Sequence, residues 1–277
     1  MRAVRLSLIP LVLVLAAGIP VACGGDSTDT STPAVTTTTT STASSTTTAP
    51  PAKLKILVTN DDGYSADGID AVVEGLRALP DVTVTVVAPL KNQSGTGGKS
   101  TPGTLTATDV TTKSGYAAKA IDGYPADTIT WAIAQHGIDF TPDLVVSGIN
   151  AGQNIGPIVD VSGTVGAARA AGAQNLPAVA VSQGGPTFDF PKGVAAVLEW
   201  LSANRGDLAA GKMVNINVPS CPAGTSLLGT VDVPIATDAK GEDLVGPQRC
   251  VAGATPTDDV NGFVQGYTTV SPLTAAA

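Results

Sequence analysis

The chain has 277 residues, with 15 Lys and Arg against 23 Asp and Glu, a formal charge of −8, one His and three Cys. Hydrophobic residues make up 43% but aromatics only 4%, so the core must be aliphatic and Ala-rich, in one large domain or two small ones. The acidic balance argues against a nucleic-acid groove, which needs a basic stripe. The single His excludes sites that need two or three imidazoles, most zinc hydrolases among them.

At the N-terminus, Arg2 and Arg5 form a positive region ahead of the short apolar stretch Leu6 to Ala17. That stretch falls short of the about 20 apolar residues a membrane span needs. Pro20-Val21-Ala22-Cys23 puts small residues directly before a cysteine and resembles a bacterial lipoprotein signal. Residues 1–22 are therefore expected to be cleaved and Cys23 lipidated, with ordinary secretion as the alternative. Residues 23–52, dominated by Thr, Ser, Pro and Ala, offer too little apolar surface to offset ordering entropy and read as a disordered tether. The folded domain, 53–277, would then be exported and anchored at the cell envelope. With Cys23 accounted for, Cys221 and Cys250 are an even pair in an oxidising compartment and are predicted to form a disulfide; without export, two buried free thiols would be expected.

Leu54–Thr59 reads as the first strand, bounded by the turn residues Asn60-Asp61-Asp62-Gly63. Ile69, Val72, Val73, Leu76 and Leu79 mark one helical face that ends at Pro80. Val82–Ala88 is a second strand, Pro89–Thr104 a Gly-rich loop, and Leu105–Val110 and Tyr116–Ile121 two weaker β segments. A helix is expected over Pro125–His136, with Pro in its first turn, and a buried parallel strand over Asp143–Ile149. The loop Asn150–Asp160 leads into a small-residue helix, Ser162–Ala173. Ala178–Val181, Gly193–Ala203 and Met213–Val218 read as strand, helix and strand, and the Gly- and Pro-rich tail carries only short β-like runs. This alternation argues for an open, mostly parallel α/β sheet with helices on both faces and a β-rich C-terminal extension.

Open α/β sheets bind ligands beyond the carboxyl ends of their strands. Three polar clusters fall at such ends: Asn60-Asp61-Asp62-Gly63, Asn92-Gln93-Ser94-Gly95 and Ser147-Gly148-Ile149-Asn150. Asp61, Asp62, Ser94 and Asn150 offer only hard oxygen donors, a set suited to Mg²⁺, Mn²⁺ or Ca²⁺. Each has a plain structural alternative: Asn-Asp-Asp-Gly is good turn chemistry, and Asn150 can cap a strand end. Ser162-Gly163-Thr164-Val165-Gly166 is either an anion site at a helix N-terminus or an ordinary cap with a close helix–sheet crossing. Gly95-Thr96-Gly97-Gly98-Lys99-Ser100 imitates a phosphate loop, but Gln93 stands at its first required Gly and Thr101-Pro102-Gly103 blocks the helix it must open. His136, at a helix end, reads as structural.

Together these segments resemble the SurE family of metal-dependent nucleotidases. The likeness is carried by Ile56-Leu57-Val58-Thr59-Asn60-Asp61-Asp62-Gly63, Val87-Ala88-Pro89, Asn92-Gln93-Ser94-Gly95, Pro125-Ala126-Asp127, Pro142 to Asn150 with Gly152 and Asn154, Ser162 to Ala168, Asn215 to Pro219, and Gly266 to Leu273. The resemblance implies a Rossmann-like phosphomonoesterase, a 5′-nucleotidase with 3′ activity left open, that hydrolyses nucleoside monophosphates with one divalent cation, Mg or Mn. It implies cation ligands at Asp61, Asp62, Ser94 and Asn150, catalysis by Asp61 and Asp62, and phosphate or substrate contacts from Asn60, Asn154, Ser162, Gly163 and Thr164. It further implies a homodimer or higher oligomer formed by exchange of C-terminal segments, with no nucleic-acid partner. Val161 stands where the family usually has Tyr. A broad phosphatase or short-chain polyphosphatase on the same site, and a surface lipoprotein without turnover, are the alternatives.

Overall fold

The computed structural model describes residues 53–275, so the leader, the tether and Cys23 lie outside the described residues. Strand β1 (Leu54–Thr59), helix α1 (Asp67–Arg77) and strand β2 (Val82–Pro89) form the first unit. An edge hairpin, β3 (Ala107–Thr111) and β4 (Ala117–Ile121), precedes α2 (Pro125–Ile129), β5 (Leu144–Ala151) and α3 (Gly163–Ala173). β6 (Ala178–Gln183), α4 (Phe190–Asn204) and β7 (Met213–Val218) complete the alternation. The C-terminal extension contributes β8 (Thr230–Asp232), α5 (Asp259–Gln265) and β9 (Thr268–Pro272).

The nine strands of the described residues lie in one sheet, ordered β3-β4-β2-β1-β5-β6-β7-β9-β8. Only the β3–β4 and β7–β9 pairs are antiparallel; the others run parallel. From β1 the chain winds first to β2 on one side and later to β5 on the other. The topological switch, where such sheets hold ligands, therefore falls between β1 and β5. This is the mostly parallel, Rossmann-like sheet expected from the alternation of elements.

Helices α1 and α4 cover one face, over Ile56, Val58, Val146, Val181 and Ile216. α1 has no side-chain N-cap. Its stripe of Ile69, Val72, Val73 and Leu76 is fully buried, at about 1.5–3 kcal/mol per side chain, which outweighs the roughly 1 kcal/mol a cap contributes. α2 and α3 cover the opposite face, over Leu57, Val87, Val145 and Ala180. α3 lies close to its neighbours: a Cβ on Gly166 would stand 2.1 Å from the Gly97 carbonyl oxygen, and one on Gly172 2.2 Å from Met213 Sδ. Its small residues are what that approach requires.

Two expectations change. The helix expected over Pro125–His136 is α-helical only through Ile129 and continues as a wider π-type turn, Thr130–Ala134. There Gln135 N–H reaches back to the Thr130 carbonyl, and the Thr130 hydroxyl donates to Ala126 O, competing with the regular ladder. In the tail, α5 replaces what read as irregular chain. Asp258 caps it by accepting from Asn261 N–H, and Gly266 at φ 111° stops it. Gly262 in its middle weakens the helical signal, yet a Cβ there would meet Thr269 at 3.0 Å, so close packing decides the residue.

The extension is fastened to the rim at the carboxyl ends of the parallel strands. Asp259, fully buried, accepts from Gly156 N–H (2.9 Å) and Ala236 N–H (2.8 Å), which joins α5 to the loop after β5. A Cys221–Cys250 disulfide, with Cα atoms 5.5 Å apart, ties the end of β7 to the segment before α5. Among the described residues no helix is long and apolar enough to cross a membrane. Opening the disulfide releases a closed loop whose constraint is worth about 3.5 kcal/mol in the chain-entropy model. Reduction is therefore expected to lower the melting temperature by several degrees, and Cys221→Ser/Cys250→Ser to reproduce the loss; calorimetry with and without reductant checks both.

Candidate active site

The residues after β1 build the centre of the site. Asn60 is buried and folds its amide into the turn, donating to Gly63 O (2.8 Å) and accepting from Gly63 N–H (3.2 Å). Gly63 at φ 102° closes that turn, and a Cβ there would lie 3.2 Å from the Lys91 backbone. The turn presents Asp61 and Asp62 in different directions.

Asp61 points under the first turn of α3. Its Oδ1 accepts from the Thr164 hydroxyl at 2.6 Å. Its side chain fits only because residue 163 is glycine, where a Cβ would stand 2.8 Å from Asp61 Cβ and 2.9 Å from Oδ2. Burial, above all, pushes the Asp61 carboxyl up to about 6; the Thr164 hydroxyl pulls the other way, and the neighbouring Asp62 charge adds to the rise. Asp62 is half-buried. Its Oδ2 accepts from Ala151 N–H (3.0 Å) and its Oδ1 from Asn92 Nδ2 (3.2 Å). Burial raises its carboxyl as well, against those two hydrogen bonds.

Hydrogen bonds link the three strand-end clusters at one rim. The loop after β2 joins the loop after β1 through Gln93 N–H to Asp61 O (2.7 Å) and through the Asn92 amide, which bridges Asp62 and the Ser94 N–H (2.9 Å). Ser94 is itself exposed at this rim. The loop then lies across α3, with Gly97 N–H donating to Val161 O (2.9 Å). Asn150, near the end of β5, is 8% exposed and commits its Nδ2 to Gly152 O (2.6 Å), which leaves its amide oxygen outside that hydrogen bond. Among the described residues no three His, Cys, Asp or Glu side chains gather as a metal cluster, so a cation here depends on the neutral oxygens of Ser94 and Asn150.

The remaining candidates take structural partners. Ser162 caps α3, its hydroxyl accepting from Val165 N–H (3.1 Å), and the Thr164 hydroxyl is spent on Asp61. Both readings of this segment thus apply: it is a cap and a close crossing, and its first-turn backbone amides still form a helix N-terminus beside the carboxylates. Asn154 anchors its loop. Its N–H donates to Asn217 Oδ1 (2.7 Å), its carbonyl accepts from Asn215 Nδ2 (2.7 Å), and its Nδ2 reaches Ser182 (2.8 Å). Two contributors had no clear sequence signal. Asn92 was visible within its cluster, but its clamp on Asp62 was not, and the Ala151 contact is a backbone N–H that no side-chain pattern reveals. His136 lies away from these residues, just past the π-type turn at φ 55°.

Paired carboxylates, a carboxamide and a helix N-terminus at the switch point place the chain in the class of doubly wound α/β proteins that receive anionic ligands at their strand ends. Residues 56–236 match the family model described as survival protein SurE. The chain is 37% identical over 176 residues to the 5′-nucleotidase SurE of Desulfovibrio desulfuricans, covering 61% of this chain and 68% of that one. It is 35% identical over 233 residues to the 5′/3′-nucleotidase SurE of Yersinia pestis, covering 79% and 89%. The crystal structure of the SurE protein from Aquifex aeolicus superposes with a TM-score of 0.65 at 26% identity, over 80% of this chain and 94% of that one. The chain belongs to the SurE family.

The burial of Asp61 has a measurable consequence. Its folded-state carboxyl titrates near 6 rather than 3.8, so the folded state favours the protonated form. The stability it contributes is complete below 3.8 and is lost as the pH rises through about 6, by at most about 3 kcal/mol. In chelator, Asp61→Asn is expected to melt higher than wild type near neutral pH, with the difference shrinking as the pH falls through that window. Equal melting temperatures at every pH would mean that Asp61 carries no burial cost.

Proposed function

We propose that this chain is a divalent-cation-dependent phosphomonoesterase that hydrolyses nucleoside monophosphates to nucleoside and phosphate. The observation that carries the reading is the juxtaposition of Asp61 and Asp62, both raised by burial, with Asn150 and the Ser94 loop at one rim. The named activities of the SurE relatives support it. A pair of partly desolvated carboxylates flanked by neutral oxygens fits a hard cation, Mg²⁺ or Mn²⁺, held by Asp61, Asp62, Ser94 and Asn150. Bound there, the cation supplies Lewis-acid neutralisation of phosphoryl charge.

The protein's own groups do the rest. The Thr164 hydroxyl fixes the rotamer of Asp61, and Ala151 N–H with Asn92 fixes that of Asp62. The α3 N-terminus, with Ser162, Gly163 and Thr164, faces the phosphoryl oxygens and steadies the growing negative charge. Asp62, the less buried carboxylate, accepts a proton from the attacking water. The water oxygen bonds to phosphorus, the ester P–O bond breaks, and the leaving nucleoside oxygen takes a proton from solvent.

The same reading places the enzyme outside the cytoplasm, held to a membrane by lipid on Cys23. The leader pattern supports this, as does a Cys221–Cys250 disulfide suited to an oxidising compartment. Oligomerisation through the C-terminal segment, β8 to β9, belongs to the same proposal.

Phosphate release from nucleoside 5′- and 3′-monophosphates, with added Mn²⁺ and with chelator, tests the activity. Asp61→Asn and Asp62→Asn should each lower the rate at least about a hundredfold. Full activity in chelator, or in either variant, would remove the assignment. For the anchor, Cys23→Ala should move the protein from the membrane fraction to the medium with its activity intact; a variant that stays membrane-bound would refute lipidation at that residue.

A further inference from the structure

Phe188 is the one aromatic among the exposed large hydrophobic side chains of the described residues, at 42% exposure. An isolated exposed phenylalanine needs no explanation, but this one is held in place. Its ring stacks on Phe190, with centroids 5.9 Å apart and planes 19° from parallel. Its edge lies over Gly185, where a Cβ would come within 3.2 Å of the ring.

The loop carrying Phe188 follows β6 and is bonded directly to the candidate active-site loop. Ala151 N–H donates to Asp62. The next residue, Gly152, donates to Gln183 O (2.9 Å), and Gly185 N–H donates to Gln153 Oε1 (3.3 Å). Phe188 also lines a pocket of about 530 Å³, with Thr187, Asp189, Lys192, Ser220 and Cys221. Its floor is rigid: the Ser220 hydroxyl donates to Gly184 O (2.6 Å), Ser220 N–H donates to Gln248 Oε1 (2.8 Å), and Cys221 is in the disulfide. Its edge carries both hydrogen-bond signs, in the Lys192–Asp189 ion pair at 3.0 Å.

In the sheet β6 and β7 stand two and three strands from β1, a lateral offset of about 10–14 Å between the strand ends that carry the carboxylates and those that lead to this pocket. That is the reach of a ribose and base from a bound phosphate. A flat apolar face with polar groups at its edge, on a rigid floor at that distance, matches a nucleobase. We infer that Phe188 is the platform on which the nucleobase of the substrate stacks, with Asp189 and Lys192 addressing the base edge. The inference rests on the nucleotidase reading and gives that site its discrimination for nucleotides over simple phosphate esters.

The test compares adenosine 5′-monophosphate with ribose 5-phosphate, which has no base to stack, in the full chain with Mn²⁺. Phe188→Ala should raise KM for the nucleotide about tenfold or more, the loss expected of a missing base–aromatic stack. The loss should fall on KM rather than kcat, KM for ribose 5-phosphate should move far less, and Phe188→Trp should restore the nucleotide value. Equal changes for the two substrates, or no change for either, would overturn the inference. The Phe188→Trp variant gives a readout independent of turnover: adenosine 5′-monophosphate should quench the new tryptophan, measured against the wild-type signal from Trp131 and Trp200. If wild type releases no phosphate from nucleotides, the nucleotidase reading falls, and the quenching still decides the inference: saturable quenching supports it, and its absence refutes it.

Discussion

A carboxylate held under a helix N-terminus is the constraint around which this molecule is arranged. Asp61 is almost fully buried, and burial disfavours its charged form. The fold accepts that cost and surrounds the group with specific provisions: the Thr164 hydroxyl, the absent Cβ of Gly163 and the positive end of the α3 dipole. The small residues of α3 follow from the same demand. A helix close enough to cradle Asp61 from above, and to let the Gly97 carbonyl cross at Gly166, has no space for larger side chains.

The second structural theme is how the rim is kept rigid. The end of β5, which carries Asn150, and the loop after it, which carries Asn154, are held at several points: by Asp62, by Asn215 and Asn217 on β7, and by Asp259 of α5. The C-terminal extension therefore does more than widen the sheet. Its Asp259 carboxylate accepts one buried hydrogen bond from the rim loop, at Gly156 N–H, and a second from Ala236 within the extension itself, and the disulfide limits how far its preceding segment can move. Hydrogen bonds to a charged group are worth about 1.5–3 kcal/mol each, and here they act beside apolar packing, since Ile155 of that loop is fully buried in one cluster with Val260 and Phe263 of α5.

Agreement between sequence and structure was closest where one physical signal dominated. β1, β7 and α3 lie within a residue or two of their expected positions because apolar runs, Gly and Pro left little competition. The helix after Pro125 departs from expectation beyond Ile129, where the Thr130 hydroxyl competes with the backbone. α5 was hidden by Gly262, whose poor helix propensity is overridden by packing against Thr269. The roles of Ser162 and Thr164 were ambiguous for a different reason: a serine or threonine at a helix start has the same sequence pattern whether it faces a ligand, caps the helix or supports a carboxylate.

By itself, the sequence determined the alternation of strands and helices, the oxygen-donor chemistry at three strand ends, the pairing of Cys221 with Cys250 and the family. These follow from local periodicity, turn chemistry and residue type, which act over a few neighbours. Only the tertiary structure decided that Thr164 holds Asp61, that Asn92 and Ala151 hold Asp62, and that Asp259 reaches back to Gly156. Those contacts join residues 30 to 103 positions apart. Their partners are set by strand order and by where glycine leaves space, and neither is encoded in any single stretch of chain.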